Sequence, residues 1–158
     1  MSDFQLPDDP AGRVEAVLDE VADALDLDCD IEVTERDEQI TGRIEGEDLG
    51  LVIGRRGQTI DALQMLCYRI AFRGRQERKR VAVDAAGYRE RRREVVEGQA
   101  DRAAARALES GKEIELEPMS ATERKLVHDH LKDRSGIETF SEGEEPERCV
   151  IVAPLVGD

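Results

Sequence analysis

Tryptophan is missing from the sequence, and two tyrosines and three phenylalanines are the only aromatic residues among 158. So few rings exclude a sheet platform that reads several bases by stacking. With 38% of the residues charged and 39% apolar, the core is thin under a heavily solvated surface. Two small domains fit such a chain better than one. Cysteines number three, Cys29, Cys67 and Cys149, an odd count at wide spacing. That suits neither a disulfide framework nor a zinc site, and free thiols in a reducing cytoplasm are expected. No apolar run approaches the roughly 18 residues that a spanning helix needs, and the acidic first 30 residues hold no basic stretch leading into an apolar one. Secretion and membrane insertion are not expected.

Positive charge is scarce overall, 23 basic against 37 acidic side chains for a formal charge of −14, but it is sorted along the chain. Residues 1–50 carry 3 basic and 17 acidic groups, residues 51–106 carry 14 and 7, and residues 107–158 carry 6 and 13. The basic middle third, densest from Arg69 to Arg93, is the electrostatic footprint expected for a polyanion partner.

Asp9-Pro10 reads as an N-cap and first helical residue, and Val14, Val17, Leu18, Val21 and Leu25 then recur at helical spacing, which predicts a helix over about 11–26. Ile31 and Val33, then Ile40 and Ile44, alternate around the charged turn Arg36-Asp37-Glu38 and predict two antiparallel strands. A short apolar segment, Asp48–Ile53, leads into Gly54-Arg55-Arg56-Gly57. The helix after it puts Ile60, Leu63, Leu66, Cys67 and Ile70 on one face, and Val81 and Val83 mark a strand. From Tyr88 to Leu108 a long helix, with Val96, Ala100, Ala103 and Ala107 on one side, is expected to bridge two domains. Gly111 ends it. Ile114 and Leu116 make a short strand, Ser120 with Glu123 forms a capping box for a helix over about 121–133, and Gly136 stops that helix. Strands at Ile137–Phe140 and Cys149–Ala153 are joined by the acidic loop Ser141–Glu147.

The context of Gly54-Arg55-Arg56-Gly57 carries more than the bare pattern. Two glycines let the backbone approach a sugar-phosphate chain, the following helix aims its first N–H groups at phosphate, and Arg55 and Arg56 add charge. This is the clamp of KH domains, which grips about four nucleotides of single strand. The lysine of a P-loop and the first glycine of a dinucleotide fingerprint are both absent. Nearby Arg69, Arg73 and Arg75 are expected to supply screening charge.

Residues 45–64, from Glu45 through the glycine loop to Gln64, then Asp84 and Tyr88-Arg-Glu-Arg-Arg-Arg93, resemble the Jag family, also called SpoIIIJ-associated proteins. Pro118-Met119-Ser120, Glu123-Arg124, His128, and Ser141–Pro146 leading to Arg148, Val150 and Ile151 continue the likeness, which covers about residues 10–156. The resemblance implies an α+β protein: a type II KH domain over 10–85, joined by the long helix to a small Arg-xxx-His domain over 88–156. It also implies that Arg124 and His128, neighbours on one helix face, form a second single-stranded nucleic-acid site. Two features depart from the family. The additional N-terminal domain of many members is not expected here, and Ala121 and Thr122 stand where Pro and Tyr are common, which removes an aromatic beside the second site.

The expected function is that of a cytoplasmic RNA-binding protein and not an enzyme. Gly54–Gly57 clamps single-stranded RNA, or single-stranded DNA, and the C-terminal domain adds a contact. The resemblance implies a post-transcriptional regulator or RNA chaperone linked to cell elongation and envelope synthesis, with a small single-KH protein as partner. The rival is a protein-interaction adaptor using the KH fold as a scaffold. No cofactor or metal is expected, since no paired carboxylates or nucleophile-base set stands out and His128 and His130 point to different sides of their helix.

Overall fold

A computed structural model of the chain describes residues 5–155. The chain divides into two compact units, the first ending at Arg89 and the second beginning at Glu90. Among the described residues no helix is long and apolar enough to cross a membrane.

In the first unit, helix α1 spans Pro10–Ala24, with Pro10 at its first position and the Asp9 carboxylate accepting from the Gly12 N–H at 2.7 Å. Strands β1 (Cys29–Arg36) and β2 (Gln39–Gly46) form an antiparallel hairpin. A one-turn helix, α2 (Gly50–Ile53), and the 14-residue α3 (Gln58–Ala71) flank the glycine loop, and β3 (Arg80–Ala85) pairs parallel with β2, giving the order β1-β2-β3. Alternate residues of the sheet, Ile40, Gly42 and Ile44 with Val81, Val83 and Ala85, are buried on one face. Against them lie Val14, Val17 and Leu18 of α1 and Ile60, Leu63, Cys67 and Ala71 of α3. Gly42 is a packing requirement, because a Cβ there would stand 2.7 Å from the Leu18 side chain.

Helix α3 buries a narrower stripe than its apolar sequence predicts. Ile60, Cys67 and Ala71 define its centre, and Leu66 sits about 120° round the helix at 100° per residue, where it is 46% exposed.

In the second unit, α4 (Tyr88–Ser110, its first two residues in the first unit) and α5 (Ala121–Leu131) accompany a three-stranded antiparallel sheet in the order β4-β6-β5, formed by Ile114–Glu115, Cys149–Pro154 and Ile137–Glu142. Val96 and four alanines of α4 share a core with Val127, Leu131, Ile137, Val150 and Val152. The capping box forms as its residues predict: the Ser120 hydroxyl accepts from the Glu123 N–H, and the Glu123 carboxylate accepts from the Ser120 N–H, each at 3.3 Å. Gly111, at φ +67°, ends α4 by donating to the Ala107 carbonyl at 2.9 Å. The three cysteines are free, and burial pushes the Cys67 thiol up to about 12.

Candidate nucleic-acid interface

The glycine loop takes the shape its composition allows. Gly54 closes α2 by donating to the Gly50 carbonyl at 2.8 Å and adopts φ 74°, ψ 178°, a region open essentially to glycine alone. A 3-10 turn over Arg55–Gly57 follows, with Arg56 left-handed at φ 54°, ψ 28° and Gly57 left-handed at φ 76°, ψ 13°. Helix α3 then starts without a side-chain cap; the Gly57 N–H donates to the Gly54 carbonyl at 3.3 Å and the Gln58 N–H to the Arg55 carbonyl, so the helix end offers chiefly the positive end of its dipole. Arg55 is exposed and Arg56 half-buried.

Both glycines are also required by close approach. A Cβ on Gly54 would lie 2.1 Å from the Thr59 Oγ1, and one on Gly57 would lie 2.7 Å from the Tyr88 ring. Tyr88 belongs to a latch at the start of α4. The Asp84 carboxylate accepts from the Arg89 N–H at 3.1 Å, and the Arg89 guanidinium donates to the Val83 carbonyl at 2.8 Å, to Asp61 at 2.7 Å and to Gln64 at 3.1 Å. Gln64 in turn accepts from the Val83 N–H at 2.9 Å. Asp61, Gln64 and Arg89 thus tie the start of α4 to α3 and β3, and Tyr88 packs against Gly57 of the loop. Spacing alone did not single them out; the sequence signal was their place in the stretches shared with the Jag family.

Arg69, Arg73 and Arg75 are exposed, but they are not beside the clamp. They stand at the opposite end of α3 and in the turn after it, about 20 Å along the helix at 1.5 Å per residue. Arg75 donates to the Asp8 carbonyl. Arg13, missed in the sequence, caps that end of α3 by donating to the carbonyls of Ile70, Ala71 and Arg73 at 3.3–3.5 Å.

In the second unit Arg124 and His128 do share a face of α5, and both are turned inward. Arg124 is 7% exposed; one guanidinium nitrogen donates to the Met119 carbonyl at 2.6 Å and the other to the Glu145 carboxylate. His128 is half-buried, its Nδ1 2.7 Å from the Thr139 hydroxyl and its Nε2 2.9 Å from the Ser141 hydroxyl, both on β5. Burial lowers its pKa below the usual histidine range; Asp129 opposes this shift and Arg124 adds to it. His130 faces elsewhere, with its Nε2 3.0 Å from Asp101 of α4. Ala121 and Thr122 are exposed in the first turn. Among the described residues no group of three or more His, Cys, Asp or Glu side chains could hold a metal ion.

An αββααβ unit with a glycine clamp, followed by a unit carrying the Arg-xxx-His pair, defines a two-domain protein that joins a KH domain to an Arg-xxx-His domain. Residues 12–84 match the KH domain of KhpA and KhpB, and residues 94–154 match the Arg-xxx-His domain family. The chain belongs to the KhpB family, the Jag family of the sequence resemblance. It is 36% identical over 138 residues to the RNA-binding protein KhpB of Clostridium symbiosum, covering 86% of this chain and 62% of that one. It is 35% identical over 147 residues to the Bacillus subtilis (strain 168) protein of the same name, covering 92% of this chain and 71% of that one. The Streptococcus pneumoniae serotype 2 relative, also so named, is 30% identical over 142 residues, 90% of this chain and 43% of that one. The chain therefore spans a little under two thirds of the Clostridium relative's length.

Proposed function

We propose that this chain binds single-stranded RNA, with Gly54–Gly57 as the principal clamp, and that binding rather than catalysis is its activity. The observation that carries the reading is the loop itself: two glycines at positive φ, an exposed Arg55 and an uncapped 14-residue helix directly behind them. Glycines without side chains let a sugar-phosphate chain approach the backbone there, and the Arg55 guanidinium and the positive end of α3 supply favourable charge. The name the relatives carry, RNA-binding protein, supports the same assignment. Arg124 and His128 supply a second contact, and the distant Arg69, Arg73 and Arg75 act through general charge. Single-stranded DNA fits the same clamp, because gripping a backbone does not by itself require the 2′-hydroxyl. Free thiols fit a reducing cytoplasm. A small single-KH partner, and a post-transcriptional role in cell elongation and envelope synthesis, are what the family resemblance adds.

Replacing Arg55 and Arg56 together by Asp tests the clamp. Aspartate tolerates the left-handed conformation of position 56 better than most residues, a charge change at the exposed Arg55 alters stability by under about 0.5 kcal/mol, and thermal unfolding confirms that the half-buried position 56 accepts its change. The folded double variant is expected to bind RNA at least about tenfold more weakly, a loss of roughly 1.4 kcal/mol. An unchanged isotherm would remove the clamp. The adaptor reading draws on exposed apolar side chains on α2 and α3, Leu51 at 67%, Met65 at 59% and Leu66. It requires protein purified without bound, RNase-sensitive nucleic acid.

A further inference from the structure

Among the described residues Arg124 is the one charged side chain that is buried. Its guanidinium is held from the protein side by the Met119 carbonyl, which is neutral, so its charge is met by Glu145. That carboxylate is the least anchored part of the arrangement. It is 59% exposed and belongs to the turn between β5 and β6, which also carries Glu144 and Glu147. An exposed carboxylate gains little by staying in one place, whereas a buried guanidinium left without an anion is strongly disfavoured. The pair therefore resists simple opening but permits exchange, in which one anion arrives as the other leaves. A phosphodiester is suited to that exchange, because one of its free oxygens accepts the charge-assisted bond that Glu145 now takes, while the other guanidinium nitrogen stays on the Met119 carbonyl.

We infer that Glu145 is a resident anion in a phosphate seat on Arg124, and that a nucleic-acid strand engages the second unit by displacing it. The identity of the ligand rests on the RNA-binding reading above; the exchange itself rests on the Arg124–Glu145 geometry. The acidic turn repels free phosphate, so the seat favours a strand already held elsewhere on the chain, whose local concentration is high. His128 lies one helical turn along, with the Ser141 hydroxyl against its Nε2, and extends the seat by polar groups that carry no negative charge.

Glu145→Gln tests the inference in the full chain, since glutamine keeps a hydrogen bond to Arg124 and removes only the charge. Glu144→Gln is the control: it removes the same charge one residue earlier, from a carboxylate that is not among the partners of Arg124. Against a long labelled uridine homopolymer, Glu145→Gln is expected to bind about three- to tenfold tighter than wild type, and Glu144→Gln to change affinity by less than about twofold. Inorganic phosphate, titrated while the Arg124 guanidinium resonances are followed by NMR, is expected to shift them at much lower concentration in Glu145→Gln than in wild type. With RNA bound by the wild type, equal affinities for the two variants would overturn the inference. An equal phosphate response in wild type and Glu145→Gln, or none in either, would overturn it as well. If no form of the protein binds RNA while the phosphate responses still differ, the exchange stands and the RNA reading falls.

Discussion

His128 shows how one residue's surroundings set its chemistry. A neutral imidazole needs one donor and one acceptor, and an imidazolium needs two acceptors; the Thr139 and Ser141 hydroxyls can serve either form by rotating. Hydrogen bonding therefore leaves both protonation states open, and burial decides between them by lowering the pKa. In the unfolded chain the ring takes up a proton near pH 6.5, while in the folded chain it stays neutral to lower pH. The unfolded state then binds more protons in that window, so the stability that His128 supports is complete above about pH 6.5 and declines as the pH falls toward the lower folded value. His128→Gln should lack this part of the acid sensitivity. Denaturant unfolding of both proteins between about pH 7.5 and pH 5.5 measures it: the wild type should lose more stability than the variant, and parallel curves would show that the ring's protonation is not coupled to folding. The residues at the glycine loop follow a different logic, in which the absence of a side chain matters. Gly54 and Gly57 were legible because their spacing has a backbone meaning. The inward turn of Arg124 was not, since a four-residue interval places two side chains on one face without saying whether that face meets solvent or the sheet.

At the scale of elements, α5 depends on Glu123 more than its capping box alone requires. The carboxylate accepts from the Ser120 N–H and also pairs with Arg92 of α4 at 2.6 Å, with the two side chains 14% and 19% exposed. Ser120→Ala removes a cap and should cost about 1 kcal/mol. Glu123→Ala removes the reciprocal cap bond together with a largely buried partner of Arg92, and should cost about 2–3 kcal/mol. Denaturant midpoints at unchanged slope would check the ranking, and equal losses would mean that the Arg92 pair contributes nothing. The Ser120–Glu123 spacing was readable because a capping box is local. The Arg92 partnership joins residues 31 apart and leaves no local pattern. Sheet topology divides in the same way. The hairpin of β1 and β2 follows from alternation around a charged turn, whereas the parallel pairing of β2 with β3 depends on two helices in between, and the sequence carried it only as the KH fold expected from the loop. Leu66 marks a further limit: α3 has apolar residues over more of its circumference than the sheet covers, so periodicity predicted the helix but overestimated its buried face.

For the whole molecule, a formal charge of −14 opposes a polyanion at long range, while on the proposed reading the glycine loop attracts it at short range. The Debye length is about 10 Å at 0.1 M salt, so a strand senses the net charge weakly until it is close and then meets the local field of Arg55, Arg56 and the first turn of α3. If, as proposed, each unit holds a site, the two can act together because they share a chain: with a strand held at the glycine loop, a second contact would form at an effective concentration set by the connection and need little affinity of its own. The length of the strand then decides whether the second unit contributes. On the proposed reading a four- or five-nucleotide oligomer is expected to fill the clamp alone, about four nucleotides being the span of a KH site, and a long homopolymer to reach Arg124 and His128 as well. Because Arg124 is buried, the informative variant keeps its charge and bulk: Arg124→Lys with His128→Gln removes the forked donor set and the imidazole without emptying the core. Its affinity for the short oligomer should match the wild type within about twofold, and its affinity for the long homopolymer should fall by about five- to tenfold. Fluorescence anisotropy over a series of strand lengths, with thermal unfolding to confirm that the second unit is intact, makes the measurement. Equal losses at every length would place both residues in a single site with the clamp. No loss at any length would leave Arg124 and His128 to their structural work, tying α5 to β5 and to the acidic turn.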